Sequence, residues 1–287
     1  MRIHAYILAA DPTWLRVSVS MYYPYVEKLV VSYDSGGRGW TGAPVRVEEC
    51  LAILRALDTD AKIEWLAGDF AADPSEPYLR ADTRQRRHAL TRAGAGADWV
   101  LQIDTDEVLP DWARLHETLE RAAVLRLSAV EWPMRILFRR LRSGRYLEIA
   151  TAAGTTHFEY PGPIAVRPGA TLVDCRRTSL PFLRPVVRGD RFSLQVQRPP
   201  EAGEHRVELL APSEAIWHNS WARPPAVVRE KIASWGHNQG VSSWLYYYAT
   251  WLPAPLTWRQ LRRLHPLYRP LWPRVRPSDG LPDGLDD

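Results

Sequence analysis

Cysteine is scarce in this chain. Cys50 and Cys175 are the only two, which excludes a four-cysteine zinc site and a disulfide scaffold and points to a reducing compartment. No stretch approaches the roughly 20 continuous apolar residues needed to cross a bilayer. No internal repeat is present. Block charge is missing too. The 37 Lys and Arg against 33 Asp and Glu leave a net +4 and a pI near 9.1, and the excess positive charge is not concentrated in one interior block. A mild preference for anionic partners follows, but nucleic acid as a partner does not. The first eight residues go straight into a strand-like run with no separate signal segment, so a cytoplasmic chain is expected.

The 287 residues, 46% of them hydrophobic, suffice for one large α/β domain or two small ones with a full core. Short apolar runs at 3–9, 27–33, 61–66 and 99–103 read as strands. Between them, a helix opens at Asp11-Pro12-Thr13, and helical spacing covers 44–57 and the basic stretch 79–93. Strands alternating with helices imply a largely parallel sheet with right-handed crossovers. The second strand ends in Asp34-Ser35-Gly36-Gly37-Arg38-Gly39, a turn that lets a ligand approach the backbone closely.

Beyond residue 109 the pattern loosens. A helix is expected over 110–127 and a single strand over 130–138, followed by short β-prone runs at 164–166, 171–173 and 192–196. Residues 215–218 read as a strand end, and Pro224-Pro225 opens a helix carrying Lys231, Trp235 and His237. From residue 241 onward an aromatic and basic helical tail is expected, with its last residues disordered.

The most informative stretch is 99–108, Trp-Val-Leu-Gln-Ile-Asp-Thr-Asp-Glu-Val. It reads as a buried strand ending in two aspartates one residue apart. In an open α/β sheet, ligands bind beyond the carboxyl ends of strands. Two carboxylates there supply hard oxygen ligands for Mn2+ or Mg2+, which can hold a diphosphate. The competing reading is a solvated acidic turn.

Taken together, the first strand, Asp34 with its glycine turn, the basic run Arg84-Gln85-Arg86-Arg87-His88-Ala89-Leu90, Asp104-Thr105-Asp106-Glu107 and Trp217-His218-Asn219-Ser220-Trp221 followed by Lys231 resemble the nucleotide-sugar glycosyltransferases of the GT-A fold, in particular the family 2-like branch. The likeness spans roughly residues 1–240 as architecture, and only 104–107 is specific enough to be a motif. It implies a Rossmann-like, mostly parallel central sheet flanked by helices. Residues 1–109 would form a nucleotide-sugar-binding half, 110–240 a mixed-sheet acceptor half of the same catalytic domain, and 241–287 the tail.

The resemblance also implies roles. Asp104 would face the ribose or hold the metal through water, Asp106 would bind the cation, and His218 would complete its shell or touch the leaving phosphate. Ala9 would line the nucleotide. Asp34 would accept from the nucleobase, although a turn-capping role competes. Arg84 and Arg87, three apart on one helix face, would reach the diphosphate, with Lys231 and His237 on a later helix adding charge. The donor would be a nucleoside-diphosphate sugar, most simply a UDP-sugar, and the acceptor a carbohydrate or lipid-linked hydroxyl. Inversion at the anomeric carbon requires a carboxylate base; the family's usual acidic pair is not evident, which leaves Glu159 and then Asp190. Trp132, Trp217, Trp221 and Trp235 either stack on an acceptor sugar or belong to the core. The aromatic and arginine-rich tail would rest on the inner face of an anionic membrane or pack on the domain.

Two other readings compete. The run 103–108 also resembles the first motif of the haloacid dehalogenase-like phosphatases, with Asp104 as nucleophile, although that motif normally stands near the N-terminus. A non-catalytic carbohydrate-binding protein of the same fold is the other.

Overall fold

A computed structural model describes residues 1–73, 75–234, 240–279 and 281. Strands β1 (Ile3–Leu8), β2 (Lys28–Asp34), β3 (Ile63–Gly68) and β4 (Trp99–Leu101) alternate with helices α1 (Leu15–Ser20), α2 (Val47–Leu57) and α3 (Tyr78–Gly94). The four strands are parallel and lie in the order β3-β2-β1-β4. The chain therefore runs from β1 outward through β2 and β3, then returns to place β4 on the other side of β1. The order reverses between β1 and β4, and the crevice past their carboxyl ends is a topological switch point.

The burial pattern explains why these elements form. Along β1, Ile3, Ala5 and Ile7 pack with Leu15 and Val19 of α1 and Leu51 of α2, while Tyr6 and Leu8 pack with Ala89, Leu90 and Ala93 of α3. Successive side chains point to opposite faces. A strand that is buried at every position therefore needs helices on both sides.

The chain continues through β5 (Glu107–Val108), α4 (Trp112–Val124), β6 (Ala129–Glu131), β7 (Met134–Arg140), β8 (Tyr146–Ala150), β9 (Phe158–Glu159), β10 (Pro163–Val166), β11 (Leu172–Asp174), β12 (Arg177–Thr178), β13 (Phe182–Val187), α5 (Leu194–Gln197), β14 (Glu204–Leu210), β15 (Ile216–His218) and α6 (Pro225–Ser234). The large sheet has the order β14-β13-β6-β10-β4-β1-β2-β3. In it only β10 runs against its neighbours, β4 and β6. The molecule is thus an α/β protein with a mostly parallel, Rossmann-like central sheet flanked by helices. A second, mixed sheet joins β8, β7, β15 and β5, with β9 on β7.

The expected single strand over 130–138 is two strands, interrupted at Trp132-Pro133. Pro133 has no N–H to give to a ladder, and here the chain passes from the large sheet at Glu131 to the second sheet at Met134. The run 192–196, expected to be β, contains the start of helix α5. Asp190 Oδ1 accepts the backbone N–H groups of Phe192 and Ser193 at 3.0 and 3.1 Å, turning the chain just ahead of Leu194.

The tail is only partly helical: it begins with α7 (Val241–Tyr246), a π-helical turn at Tyr247–Trp251 and α8 (Ala254–Thr257), and later makes a short 3-10 turn at Arg269–Leu271. It then returns as strand β16 (Arg274–Pro277), antiparallel to β8, with Val275 buried between Arg274 and Arg276 in strand alternation. Trp235 and His237 lie outside the described residues, as does the 282–287 end for which disorder is expected. Trp132, Trp217 and Trp221 are buried and belong to the core. Among the described residues, no helix is long and apolar enough to cross a membrane.

Candidate functional site

A cleft of ≈ 510 Å³ opens at the switch point. Ala9 follows the end of β1, Asp34 ends β2, Asp104 and Asp106 follow β4, His218 ends β15 and Lys231 lies on α6, and all six line the cleft. The parallel strands β1, β2 and β4 deliver Ala9, Asp34, Asp104 and Asp106 to one edge because each ends on the same side; β15 of the second sheet and α6 add His218 and Lys231. Gly37, at φ +66°, makes the sharp turn after Asp34, and a side chain at Gly39 would press on Ser234 of α6.

The stretch from Gln102 to Glu107 is held by buried polar contacts. Tyr6 donates to the Gln102 side-chain oxygen at 2.8 Å, and the Gln102 amide donates to the carbonyls of Pro163 and Arg176 at 2.7 and 3.0 Å. Glu107 is fully buried. It accepts a fork from Arg176 at 2.8 and 2.6 Å and the Asp104 backbone N–H at 3.1 Å. The acid that closes the Asp-x-Asp-Glu motif thus fixes the loop on which the two aspartates stand.

The aspartates have different surroundings. Asp104 faces Arg86 of α3, whose terminal nitrogens stand 2.9 and 3.0 Å from its two carboxylate oxygens. Arg86 also bonds Asp82, one helical turn earlier, at 2.7 Å. Asp106 gathers three basic groups around one oxygen: Arg223 at 2.5 Å, Lys231 at 3.2 Å and His218 at 3.6 Å. Burial works against the charge of both carboxylates, but Arg86 with Arg176 holds Asp104 below the usual range, and Lys231 with His218 holds Asp106 far below it. Burial likewise opposes charge on His218, yet Asp106 raises its pKa above the ordinary value. Lys231 is drawn down to about 8 by burial and by Arg223, with Asp106 pulling the other way.

Sequence reasoning singled out the wrong side of α3. Arg84 points away from the cleft, onto the carbonyls of Asp69 and Ala71, and Arg87 donates to Leu172 O at 2.7 Å. Neither lines the cleft, whereas Arg86 does. The signal was present: Ala89, Leu90 and Ala93 mark the sheet-facing side of the helix, and stepping back a turn reaches Arg86, Gln85 and Asp82. Asp34 meets three backbone N–H groups, from Phe70, Gly36 and Arg38, at 2.8, 2.9 and 3.1 Å. Although burial opposes it, these donors hold its carboxyl below the usual range. The structure therefore displays its turn-capping role.

The two proposed bases stand outside the cleft wall. Asp190 is engaged by Ser193, both through its side chain and its backbone. Glu159, on β9, accepts from the indole N–H of Trp272 in the tail, and burial pushes its carboxyl up to about 7. On the wall itself, Asp11 pairs with Arg223 and Arg46, Asp82 and Asp104 with Arg86, and Glu230 with Arg46. Asp174, at the end of β11, is exposed, and among the described residues its side chain meets only the neighbouring Cys175 thiol, at 3.6 Å. Sequence reasoning had no signal for it, because its place depends on the β11–β12 hairpin folding over α3.

Among the described residues, no three His, Cys, Asp or Glu side chains converge as a ready metal centre. Asp106 and His218 are nonetheless adjacent, and they suit a Mg2+ or Mn2+ ion that takes its other ligands from phosphate and water. The wall carries seven carboxylates against seven Lys and Arg side chains. Lys and Arg thus balance the carboxylates of the wall, so an anionic ligand would bring a surplus of negative charge that a divalent cation would offset.

No protein-family model matches the chain, and no curated protein does. Among solved structures, the 4-diphosphocytidyl-2C-methyl-D-erythritol synthase of Anaerococcus prevotii is similar over 58% of this chain and 71% of its own, at 11% identity and a TM-score of 0.31. A mannose-1-phosphate geranyltransferase of Thermus thermophilus is similar over 60% of this chain and 51% of its own, at 12% identity and a TM-score of 0.24. At scores this low the likeness carries no argument about this chain.

Proposed function

We propose that the chain is a glycosyltransferase that moves a sugar from a nucleoside-diphosphate donor, most simply a UDP-sugar, to an acceptor hydroxyl. One observation carries the reading: Ala9, Asp104 and Asp106 flank the switch point between β1 and β4 in a cleft walled by Arg86, Lys231 and Arg223. Asp34 closes the nucleoside end of that cleft. Asp106 and His218 would hold a divalent cation, which when bound stabilises charge on the departing diphosphate as a Lewis acid. Lys231 and Arg223, both at Asp106, place further positive charge beside the same oxygens.

In a single inverting displacement, the acceptor oxygen bonds to the anomeric carbon, the bond from that carbon to the diphosphate oxygen breaks, and the hydroxyl proton passes to a carboxylate. A base needs an uncommitted lone pair within reach of the acceptor. Asp174 is the cleft carboxylate with neither a cationic nor a backbone partner among the described residues, and we assign it that role in preference to Glu159 and Asp190. The phosphatase reading is disfavoured because it requires a free Asp104 oxygen for attack, and Arg86 faces both.

The test is transfer from radiolabelled UDP-sugars in wild type and Asp174→Asn. The variant is expected to keep its donor affinity and lose turnover by roughly a hundredfold, the lower range for a lost general base. Full turnover in Asp174→Asn with loss in Glu159→Gln would return the role to Glu159. Absence of transfer with any donor, together with tight sugar binding, would favour the non-catalytic reading.

A further inference from the structure

The helical segment 241–257 has two apolar faces. Ser243, Tyr247, Trp251 and Ala254 are buried against the domain. Trp251 anchors the segment: its indole N–H meets the carbonyls of Phe138 and Trp221, each at 3.1 Å, and the Arg139 guanidinium lies 3.8 Å from its ring centre. On the other side Val241, Leu245, Tyr248, Leu252 and Leu256 recur at steps of three and four residues, with exposures of 84, 63, 59, 37 and 88%. A surface helix ordinarily turns polar residues outward. A series of exposed apolar side chains along a helical segment fastened this firmly marks an interaction surface.

The surroundings identify the partner. A groove of ≈ 550 Å³ runs beside the stripe, with Leu252 and Leu256 on one wall and the exposed Arg140 and Arg142 on the other, and no Asp or Glu lines it. From residue 241 to 278 the chain holds six arginines and no acidic residue, interleaved with Trp and Tyr. Apolar side chains flanked by cations and amphipathic aromatics suit the headgroup boundary of an anionic bilayer. A second copy of the same basic face would meet charge repulsion. Arg223 lines both this groove and the main cleft, so docking here holds the cleft beside the lipid surface.

We propose that the 241–256 stripe and its arginine rim form a docking surface for an anionic membrane. The test is co-sedimentation of the full chain with phosphatidylcholine vesicles, with and without phosphatidylglycerol. Binding is expected to the anionic vesicles, to fall by roughly tenfold or more in Arg140→Gln/Arg142→Gln, and to vanish in Leu245→Asp/Leu256→Asp. Both variants should keep the wild-type melting temperature, the changed side chains being exposed or at the groove rim. Failure of wild type to bind anionic vesicles overturns the proposal. So does binding that both variants retain, or a concentration-dependent dimer that Leu256→Asp dissolves while vesicles capture nothing. UDP affinity measured on the same variants reads the nucleotide cleft separately, so either result stands without the other.

Discussion

At the residue scale, the acids of Asp-x-Asp-Glu divide their work. Asp104 and Asp106 face the cleft, whereas Glu107 is buried on Arg176 and fixes the loop. Glu107→Gln leaves the Arg176 charge buried without its partner, and breaking a buried pair this way costs about 3–5 kcal/mol. Urea unfolding should show a lower midpoint at unchanged slope, and an unmoved midpoint would deny the pair any structural role. Lys231 makes the pH dependence specific. Its pKa lies at about 8, below that of an ordinary lysine, because of burial and Arg223, so it is charged below that pH and neutral above it. A bound diphosphate favours the charged form. UDP affinity should therefore hold steady up to about pH 8 and then fall, by at most about tenfold per pH unit, with proton uptake on binding. Lys231→Arg keeps its charge and should flatten the decline; an equal decline in the variant would assign it to another group.

At the element scale, what was legible in the sequence was what local periodicity controls. The alternation of β1 to β4 with α1 to α3 could be read from the apolar spacing, and so could Asp104 and Asp106 at a strand tip. Features that depend on distant partners could not. The break at Pro133 marks a change of sheet, and β16 is a strand because β8 offers an edge to a segment rich in Pro and Arg. The face of α3 was missed for another reason. Three-residue spacing groups Arg84 with Arg87, but it does not say which side the sheet covers. Arg86→Lys, which keeps the charge but loses the planar fork that orients Asp104, is expected to weaken UDP binding by roughly tenfold. Arg84→Ala and Arg87→Ala should leave it within about twofold. A larger effect from Arg87 than from Arg86 in calorimetric titrations would reverse the orientation assigned to this helix.

At the scale of the whole molecule, the doubly wound half supplies the crevice at the switch point, and the second sheet brings His218 to it. Helix α6 adds Lys231 from the far side of the chain. Asp106 is where these parts meet, and it decides between two accounts of the cleft. If it holds a cation for the diphosphate, removing its charge weakens binding; if it only screens Arg223 and Lys231, removing its charge exposes those cations and tightens binding. The direct measurement is calorimetric titration of UDP, in Mn2+ and in EDTA, into wild type and the near-isosteric Asp106→Asn. Wild type should bind at least roughly tenfold more tightly with Mn2+ than in EDTA, and Asp106→Asn should lose that difference. Tighter binding by Asp106→Asn, or equal wild-type affinity with and without the metal, would contradict the account.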